Sequence, residues 1–296
     1  MTIRENFEDD LKQGMHLIFS DLGVKIPIKR NLDSMLLDYL TINKKVIHFK
    51  KRDVLINPEL EAKLLTHSKR NEVAEIRKRL IAGRNVNFFQ SKRLFETKFH
   101  DHLLYEWNIF HFHLTNQLEK GSKFVKRTNQ LLFAYIDDTT AILLDIENHS
   151  DGIFADAKWL EILDNHFPHV LEPYLAVDLV DVNPKVNSVE RQTLWNKGYT
   201  IGMTPVNGKV FHSPGIGRTT SGHSMLVTKM SGEILRWLFD VTEQFESRLN
   251  EICQAYNFEP DKVNFGLRFG NITLEAIEKK SNTILLTYPY RFNFNN

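Results

Sequence analysis

The alternation of apolar and polar positions is most regular in the second half of the stretch from Asp101 to Leu114. One set of alternate positions carries Trp107, Ile109, His111 and His113, and the other carries Asn108, Phe110, Phe112 and Leu114. Successive side chains of a β-strand point to opposite faces. The pattern therefore predicts a strand with one aromatic and aliphatic face and one face that carries two histidines.

Two later apolar runs predict the centre of a β-sheet. Residues 131–136 and 139–146 flank Asp137-Asp138, which is typical of a hairpin. Both runs are apolar on each face, so we expect them to lie centrally and to be covered by helices. A second hairpin is predicted around Asn207-Gly208, because this dipeptide favours a tight turn.

Helical spacing of apolar residues and local stop signals predict the remaining elements. The predicted helices cover residues 7–22, 33–40, 58–65, 68–81, 155–165, 189–197 and 231–256. Further strands are predicted over residues 45–54, 174–180, 263–269, 272–277 and 283–288, with a short extended link over residues 26–28. The predicted fold class is α+β, with a helical N-terminal part followed by a mostly antiparallel sheet with packed helices. We place a helical, basic region over residues 1–98 and an α+β core domain over residues 99–296.

Composition narrows the class of protein. The chain has 296 residues, of which 42% are hydrophobic and 25% charged, and it is long enough to bury a core. Its apolar runs are all far shorter than the roughly 20 residues that cross a bilayer, and its first ten residues lack the apolar core of a signal peptide. Cys253 is the single cysteine, which excludes an internal disulfide and a multi-cysteine zinc site. We therefore expect a cytoplasmic protein that does not contact a membrane.

The net charge of +1 conceals an uneven distribution. Residues 1–100 carry +7 and residues 101–180 carry −8. The helix over residues 68–81 is the most basic, and in residues 84–93 cations, amides and two phenylalanines are interleaved, which suits phosphate contact with base stacking. A solvated basic surface and an ordinary loop anchored by phenylalanines are the alternatives. The candidate nucleic-acid-binding residues of this region are Arg77, Lys78, Arg79, Arg84, Ser91, Lys92 and Arg93.

Three histidines are the first candidates for chemistry. His111 and His113 share one strand face, and His149 follows the second strand of the first hairpin. Histidine binds zinc or manganese, although no His-Glu-x-x-His motif is present. Histidine also titrates near pH 7, which suits RNA cleavage by attack of the ribose 2′-hydroxyl on the adjacent phosphate. The remaining interpretation is that these are core or edge residues bonded to the backbone.

Residues 215–224 form a glycine-rich and hydroxyl-rich segment that is a candidate phosphate cradle. Arg218 and His223 would add donors to it. The Gly-Lys-Ser/Thr ending of a P-loop is missing, so a nucleotide triphosphatase is disfavoured. The Gly-x-Ser-x-Gly motif is missing too, which disfavours a serine hydrolase. A flexible surface loop is the alternative interpretation.

The run His-Leu, then Lys126-Arg127, then the apolar hairpin that ends in Ile-Glu-Asn-His149, resembles the sheet core of RelE-type ribonuclease toxins. The resemblance covers residues 101–151. It implies a metal-free endoribonuclease, with Arg127 near the phosphate and His149 near the site. A toxin or phage-defence role, with an antitoxin or regulatory protein as partner, is implied too. The chain departs from the family in its much greater length, in its acidic character over this region, and in Ser150, which stands where the family has an arginine.

We therefore predict a metal-independent endoribonuclease that acts on RNA without a cofactor. The candidate catalytic residues are His111, His113, His149, His223, Arg127 and Arg191, and Arg218 joins the candidate nucleic-acid-binding residues. One alternative is a non-enzymatic nucleic-acid-binding protein that uses residues 68–93. The other is a metal-dependent hydrolase that uses the His-x-His strand.

Overall fold

The computed structural model describes residues 3–25, 30–259, 262–270 and 273–288. The helices are α1 (Ile3–Asp21), α2 (Leu32–Lys45), α3 (Pro58–Leu64), α4 (Arg70–Ala82), α5 (His102–Trp107), α6 (Lys158–His166), α7 (Pro168–Leu171), α8 (Ser188–Asn196), α9 (Met225–Ser247) and α10 (Leu249–Ala255). The strands are β1 (Asp53–Ile56), β2 (Ile109–His113), β3 (Gln130–Ile136), β4 (Thr140–Asn148), β5 (Met203–Val206), β6 (Lys209–His212), β7 (Phe265–Phe269), β8 (Leu274–Glu278) and β9 (Thr283–Tyr288). The predicted α+β class is confirmed. The link predicted over residues 26–28, and the first residue of the strand predicted over residues 272–277, lie outside the described residues.

The chain divides into two compact units. One comprises residues 45–226, and the other combines residues 1–44 with residues 227–296. These limits differ from the boundary predicted after residue 98. The reason lies in long-range pairing: β1 pairs in parallel with β4 of the histidine-bearing sheet, and α1 packs on β7. Hydrophobic periodicity marks which face of an element is buried but does not identify its partner.

The unit of residues 45–226 is built on a four-stranded sheet in the order β1-β4-β3-β2. The predicted hairpin of β3 and β4 is central in this sheet, as expected from its two apolar faces. β2 lies at one edge and pairs antiparallel with β3, so that His111 is opposite Phe133 and His113 is opposite Leu131. The sheet therefore holds both histidines in register with buried residues of a central strand.

Each face of the sheet has its own apolar cluster. Phe110 and Phe112 pack with Val73 and Ile76 of α4 in one cluster. The other cluster holds Ile109, Phe133 and Leu144 of the sheet, together with Trp159 and Leu163 of α6 and Trp195 of α8. The alternation predicted from Ile109 onward is confirmed, and it places His111 and His113 on the second face.

The residues before β2 form α5 rather than an extension of the strand. The Asp101 carboxylate accepts a hydrogen bond from the backbone N–H of Leu104 (3.1 Å) and so caps the start of this helix. Asn108, with φ of 57°, ends it in the left-handed conformation. The short turn of helix explains why two-residue alternation holds only beyond Asn108.

Two other predictions have different outcomes. Asn207 and Gly208 have φ of 50° and 75°, which the tight turn between β5 and β6 requires, so the second hairpin is confirmed. The strand predicted over residues 174–180 is wrong. Leu175 makes only an isolated bridge to Phe211, and Val177 and Val180 are each 81% exposed. An apolar run without a burying partner does not form a strand.

The other unit contains α1, α2, α9, α10 and the antiparallel sheet β7-β8-β9. Phe245 is in edge contact with both Phe7 and Phe265, at centroid distances of 5.7 Å and 4.7 Å. The carboxylate of Asp10 accepts hydrogen bonds from the backbone of Leu267 (3.0 Å) and from Lys279 (2.7 Å). Among the described residues, this chain has no helix that combines the length and the apolar character needed to cross a bilayer.

A histidine-lined cavity as the candidate active site

An open cavity of about 910 Å³ lies within the unit of residues 45–226. Its walls come from β2, from the end of β4, from the segment around residues 91–103, and from α8. Five histidines share this lining, namely His100, His102, His111, His113 and His149. The structure thus brings together three of the four candidate histidines that the sequence predicts, leaves His223 outside the lining, and adds His100 and His102.

The imidazole ring of His111 packs against two aromatic side chains, those of Phe133 and Phe154. Its centroid lies 6.3 Å from Phe133 and 5.1 Å from Phe154. Its Nδ1 is buried and has no hydrogen-bond partner among the described residues. Burial lowers the pKa of His111 below its usual value, although the nearby carboxylate of Asp101 opposes this shift. The ring is therefore neutral at pH 7 and can accept a proton.

His113 differs from His111 in its hydrogen bonding. Its Nδ1 accepts a hydrogen bond from the backbone N–H of Thr128 at 3.1 Å. This bond requires a lone pair on Nδ1, so the neutral ring carries its proton on Nε2. Burial and the neighbouring His111 lower the pKa of His113 to about 4. At neutral pH His113 is thus a hydrogen-bond donor through Nε2.

His149 stands at the mouth of the cavity. It directly follows β4, and its backbone N–H donates to the carbonyl of Asn129 (2.7 Å). Its side chain is exposed, and its ring centroid lies 5.1 Å from that of Phe154. His111 lies at the same distance from this ring, so Phe154 contacts one half-buried imidazole and one that is exposed to water.

Cationic side chains surround these histidines. Arg127 is exposed, and its Nη2 lies 3.5 Å from the hydroxyl of Ser91. Lys98 is exposed and has no ion-pair partner within the described ranges of the chain. Arg93 stacks on Phe99, with 3.9 Å from its guanidinium carbon to the ring centroid. All three line the cavity. Arg93 pairs with Glu96 at 3.2 Å, whereas Arg127 and Lys98 lack such a partner among the described residues, so the rim favours an anionic ligand.

Lys45, which sequence reasoning missed, fixes part of the wall. Its ammonium group donates to the carbonyls of Glu96 (2.7 Å), Phe99 (3.2 Å) and Arg93 (3.5 Å). Lys45 is buried, and these bonds hold residues 93–99 in one conformation. The sequence shows only a lysine in a predicted strand, so no local signal marks this role.

His100 and His102 were also missed, although the pattern Phe-His-Asp-His over residues 99–102 is itself a His-x-His signal. Nδ1 of His102 lies 2.7 Å from Nη1 of Arg218, and a guanidinium can only donate. Burial and this cation lower the pKa of His102 to about 4. The ring of His100 lies 5.1 Å from that of His223, and burial together with His223 lowers the pKa of His100 to about 4. His223 therefore sits beside a wall residue of the cavity.

Arg218 is buried inside the fold and is not exposed to solvent. Its side chain is 2% exposed and pairs with the fully buried Glu106 at 3.4 Å. It also donates to the carbonyls of Trp195 (3.0 Å) and Tyr199 (2.7 Å). Arg218 is therefore engaged inside the fold, and we do not include it in a nucleic-acid-binding surface.

The candidate phosphate cradle of residues 215–224 is not formed. The backbone N–H groups of Gly215 and Gly217 donate to the carbonyls of Glu106 and Tyr105, both at 2.8 Å. A Cβ atom at Gly215 would lie 2.4 Å from the Tyr105 carbonyl oxygen, so the loop needs glycine there for its close approach to α5. The donors that a phosphate would need are used to hold α5.

Arg191 is likewise built into the interior. It is 3% exposed, and its guanidinium donates to the carbonyls of Ala155 (2.7 Å) and Val186 (3.3 Å). Its guanidinium carbon lies 5.5 Å from the ring centroid of Trp107. These contacts anchor α8, so we remove Arg191 from the candidate catalytic groups.

The basic helix α4 covers the sheet face opposite to His111 and His113, because its apolar stripe belongs to the cluster of Phe110 and Phe112. The other predicted nucleic-acid-binding residues have three kinds of environment. Arg77, Lys78 and Arg84 are exposed. Arg79 forms an ion pair with Glu75, and Lys92 forms one with Glu119. Ser91 and Arg93 line the cavity. The structure thus separates most of the predicted basic surface from the histidines.

Metal-ligand geometry is absent from the part of the chain that the structure describes: no three His, Cys, Asp or Glu side chains there are grouped so that they could hold a metal ion. The metal-dependent hydrolase alternative therefore has no ligand set among these residues.

Comparisons of this chain with protein-family models, with curated proteins and with solved structures find no match.

Proposed function

We propose that this protein is an endoribonuclease whose active site is the histidine-lined cavity. The observation that carries the proposal is that the half-buried His111 and the exposed His149 contact the same ring, that of Phe154, in a cavity that Arg127 and Lys98 also line. Two imidazoles in different environments suit the two proton transfers that cleavage of a phosphodiester requires.

The reaction assigns one task to each group. His111 removes the proton from the ribose 2′-hydroxyl, because a neutral imidazole is a base. The 2′-oxygen forms a bond to phosphorus, and the bond from phosphorus to the 5′-oxygen of the next nucleotide breaks. His149 gives a proton to that leaving oxygen. The products are a 2′,3′-cyclic phosphate and a 5′-hydroxyl, and water then returns the two histidines to their starting states.

Charge develops on the two non-bridging phosphate oxygens during this reaction. His113 can donate to one of them through Nε2, since the Thr128 backbone occupies its Nδ1. Arg127 is exposed on the same wall and can donate in a fork to phosphate. Preorganised donors of this kind stabilise the transition state more than the ground state.

The RelE-type resemblance agrees with this assignment at two positions, because Arg127 and His149 both line the cavity. A role as a toxin or phage-defence effector, controlled by an antitoxin or regulatory protein, is part of the proposal and rests on that resemblance alone.

The test is cleavage of a mixed-sequence RNA in the presence of a chelator. We expect His111→Ala and His149→Ala each to lower the rate at least about 100-fold, which is typical for loss of a general acid or base. His212→Ala is the matched control, because His212 is exposed on β6 and does not line the cavity. An inactive wild-type protein, or equal losses in all three variants, would contradict the proposal.

A second candidate function is nucleic-acid binding by α4. Arg77 and Lys78 are exposed there, and neither has an ion-pair partner among the described residues. Salt-dependent RNA binding that survives His111→Ala but is lost in an Arg77→Ala, Lys78→Ala double variant would favour this function over catalysis in the cavity.

A further inference from the structure

One wall of the cavity carries two carboxamides that the proposed proton transfers do not use. Gln192 and Asn196 both line the cavity. They are four residues apart on α8, which places them on the same side of the helix. In the described part of the chain, neither amide has a hydrogen-bond partner. Each amide therefore offers one hydrogen-bond donor group and one acceptor group to a ligand in the cavity.

The helix that carries these amides is held firmly. Asn187 and Glu190 form a capping box, in which each side chain accepts a hydrogen bond from the other residue's backbone N–H at 2.9 Å. Arg191 and Trp195 are buried on the inner side of the helix, and Trp195 packs edge-on against Trp107 with a centroid distance of 5.1 Å. Such support fixes the direction of groups on the neighbouring face, which recognition requires.

Different residues of the cavity lining are suited to the phosphate and to the base of a nucleotide. Arg127 and Lys98 supply positive charge for phosphate, and Phe154 supplies aromatic surface on which a base can stack. The amides of α8 add neutral hydrogen-bonding groups. A neutral donor next to an acceptor is complementary to the edge of a nucleobase and contributes little to binding a phosphate.

We infer that Gln192 and Asn196 form a nucleobase-binding subsite that prefers adenine, and that they thereby select the nucleotide beside the cleaved bond. Adenine offers an amino donor next to a ring nitrogen acceptor, and a single carboxamide pairs with both. This inference rests on the proposed function for its biological meaning, but base binding can be measured without cleavage.

The experiment compares the affinities of adenosine 3′-monophosphate and guanosine 3′-monophosphate by calorimetry. In Gln192→Glu and Asn196→Asp the side chains keep their shape but only accept hydrogen bonds, so they lose adenine's ring-nitrogen partner and gain the adjacent N–H donors of guanine. We expect the ratio of adenosine to guanosine affinity to fall roughly tenfold in each variant, as is usual when one bidentate base contact is lost. The added negative charge acts on both ligands and cancels in the ratio.

Asn71→Asp is the matched control, because Asn71 is exposed on α4 and lies outside the cavity lining. Gln192→Met is a second variant that removes the amide without adding charge, and it should bring the two affinities closer together. An unchanged ratio in the cavity variants, an equal change in Asn71→Asp, or wild-type protein that binds neither nucleotide would overturn the inference.

An RNA cleavage assay distinguishes failure of the proposed nucleobase subsite from failure of the proposed function. Cleavage by the wild type, with a nucleotide preference that Gln192→Glu does not alter, would overturn only the subsite. A shifted binding ratio in a protein that does not cleave RNA would support the subsite and overturn the endoribonuclease.

Discussion

The chemistry open to each cavity histidine depends on what its Nδ1 contacts. The Nδ1 atoms of His113 and His102 accept hydrogen bonds from the Thr128 backbone and from Arg218. Both rings therefore keep their proton on Nε2 and act as donors. His111 and His100 each have a buried Nδ1 without such a partner among the described residues. Of these two, His111 contacts the same Phe154 ring as His149, so the role of base is assigned to His111. A sequence shows the residue type but not the partner that decides this difference.

The pH dependence of cleavage tests the role of His111. A base must be unprotonated, so activity is lost as the pH falls through the pKa of the folded protein. Since burial holds the pKa of His111 below the usual 6.5, the acid limb of the kcat/KM profile should have its midpoint below pH 6.5. An acid limb with a midpoint at or above 6.5 in a pH–rate profile would contradict this role.

The buried pair of Glu106 and Arg218 makes a prediction about stability. Arg218→Met should leave the Glu106 carboxylate buried without its cation, which costs about 3 kcal/mol or more of the free energy of unfolding. Urea denaturation measures this change. Arg77→Met is the control, because Arg77 is exposed on α4, and it should change stability by less than about 0.5 kcal/mol. Equal stabilities of the Arg218→Met and Arg77→Met variants would contradict this prediction, because they would show that Glu106 does not need the Arg218 cation.

At the scale of elements, the cavity depends on segments that have little regular structure of their own. Residues 93–99 form one wall, and the ammonium of Lys45 holds three of their carbonyls. By contrast, α8 has its own cap and two buried anchors. One wall is therefore stabilised by a single buried side chain, and another by a complete helix.

Lys45→Met should loosen residues 93–99 selectively. Hydrogen bonds to a charged donor are worth about 1.5–3 kcal/mol each, so loss of roughly 2 kcal/mol of local stability would speed amide hydrogen exchange in this segment about 30-fold. Lys50→Met is the control, because Lys50 pairs with Asp138 at the surface. The account is contradicted if exchange in residues 93–99 is the same in both variants.

Elements that follow local rules were predicted well, and those that depend on distant partners were not. The β3–β4 hairpin, the turn at Asn207-Gly208 and the helix over residues 188–196 follow from alternation, turn residues and periodicity. The strand predicted over residues 174–180 failed because no neighbouring strand buries its valines. The charge of an arginine does not show whether it is exposed, so Arg191 and Arg218 entered the predicted site although both are buried.

At the scale of the whole molecule, the candidate site belongs to one of the two compact units. Every residue that lines the cavity lies between Ser91 and Asn196, within the unit of residues 45–226. The sequence predicted that His111 and His113 share one strand face and that His149 follows the second strand of the hairpin, and the structure brings all three to the cavity. It did not predict Lys45, His100 or His102, since their roles depend on contacts across long separations in the chain.

The central claim is that the cavity cleaves RNA through the ribose 2′-hydroxyl, and the most direct measurement uses a matched pair of oligonucleotides. One is all RNA, and the other carries a single 2′-deoxy substitution at the nucleotide before the cleaved bond. The account predicts cleavage of the first to a 2′,3′-cyclic phosphate and a 5′-hydroxyl, detected by mass spectrometry, and no cleavage of the second at that bond. Cleavage of both oligonucleotides, products with a 3′-hydroxyl and a 5′-phosphate, or cleavage of neither would contradict it.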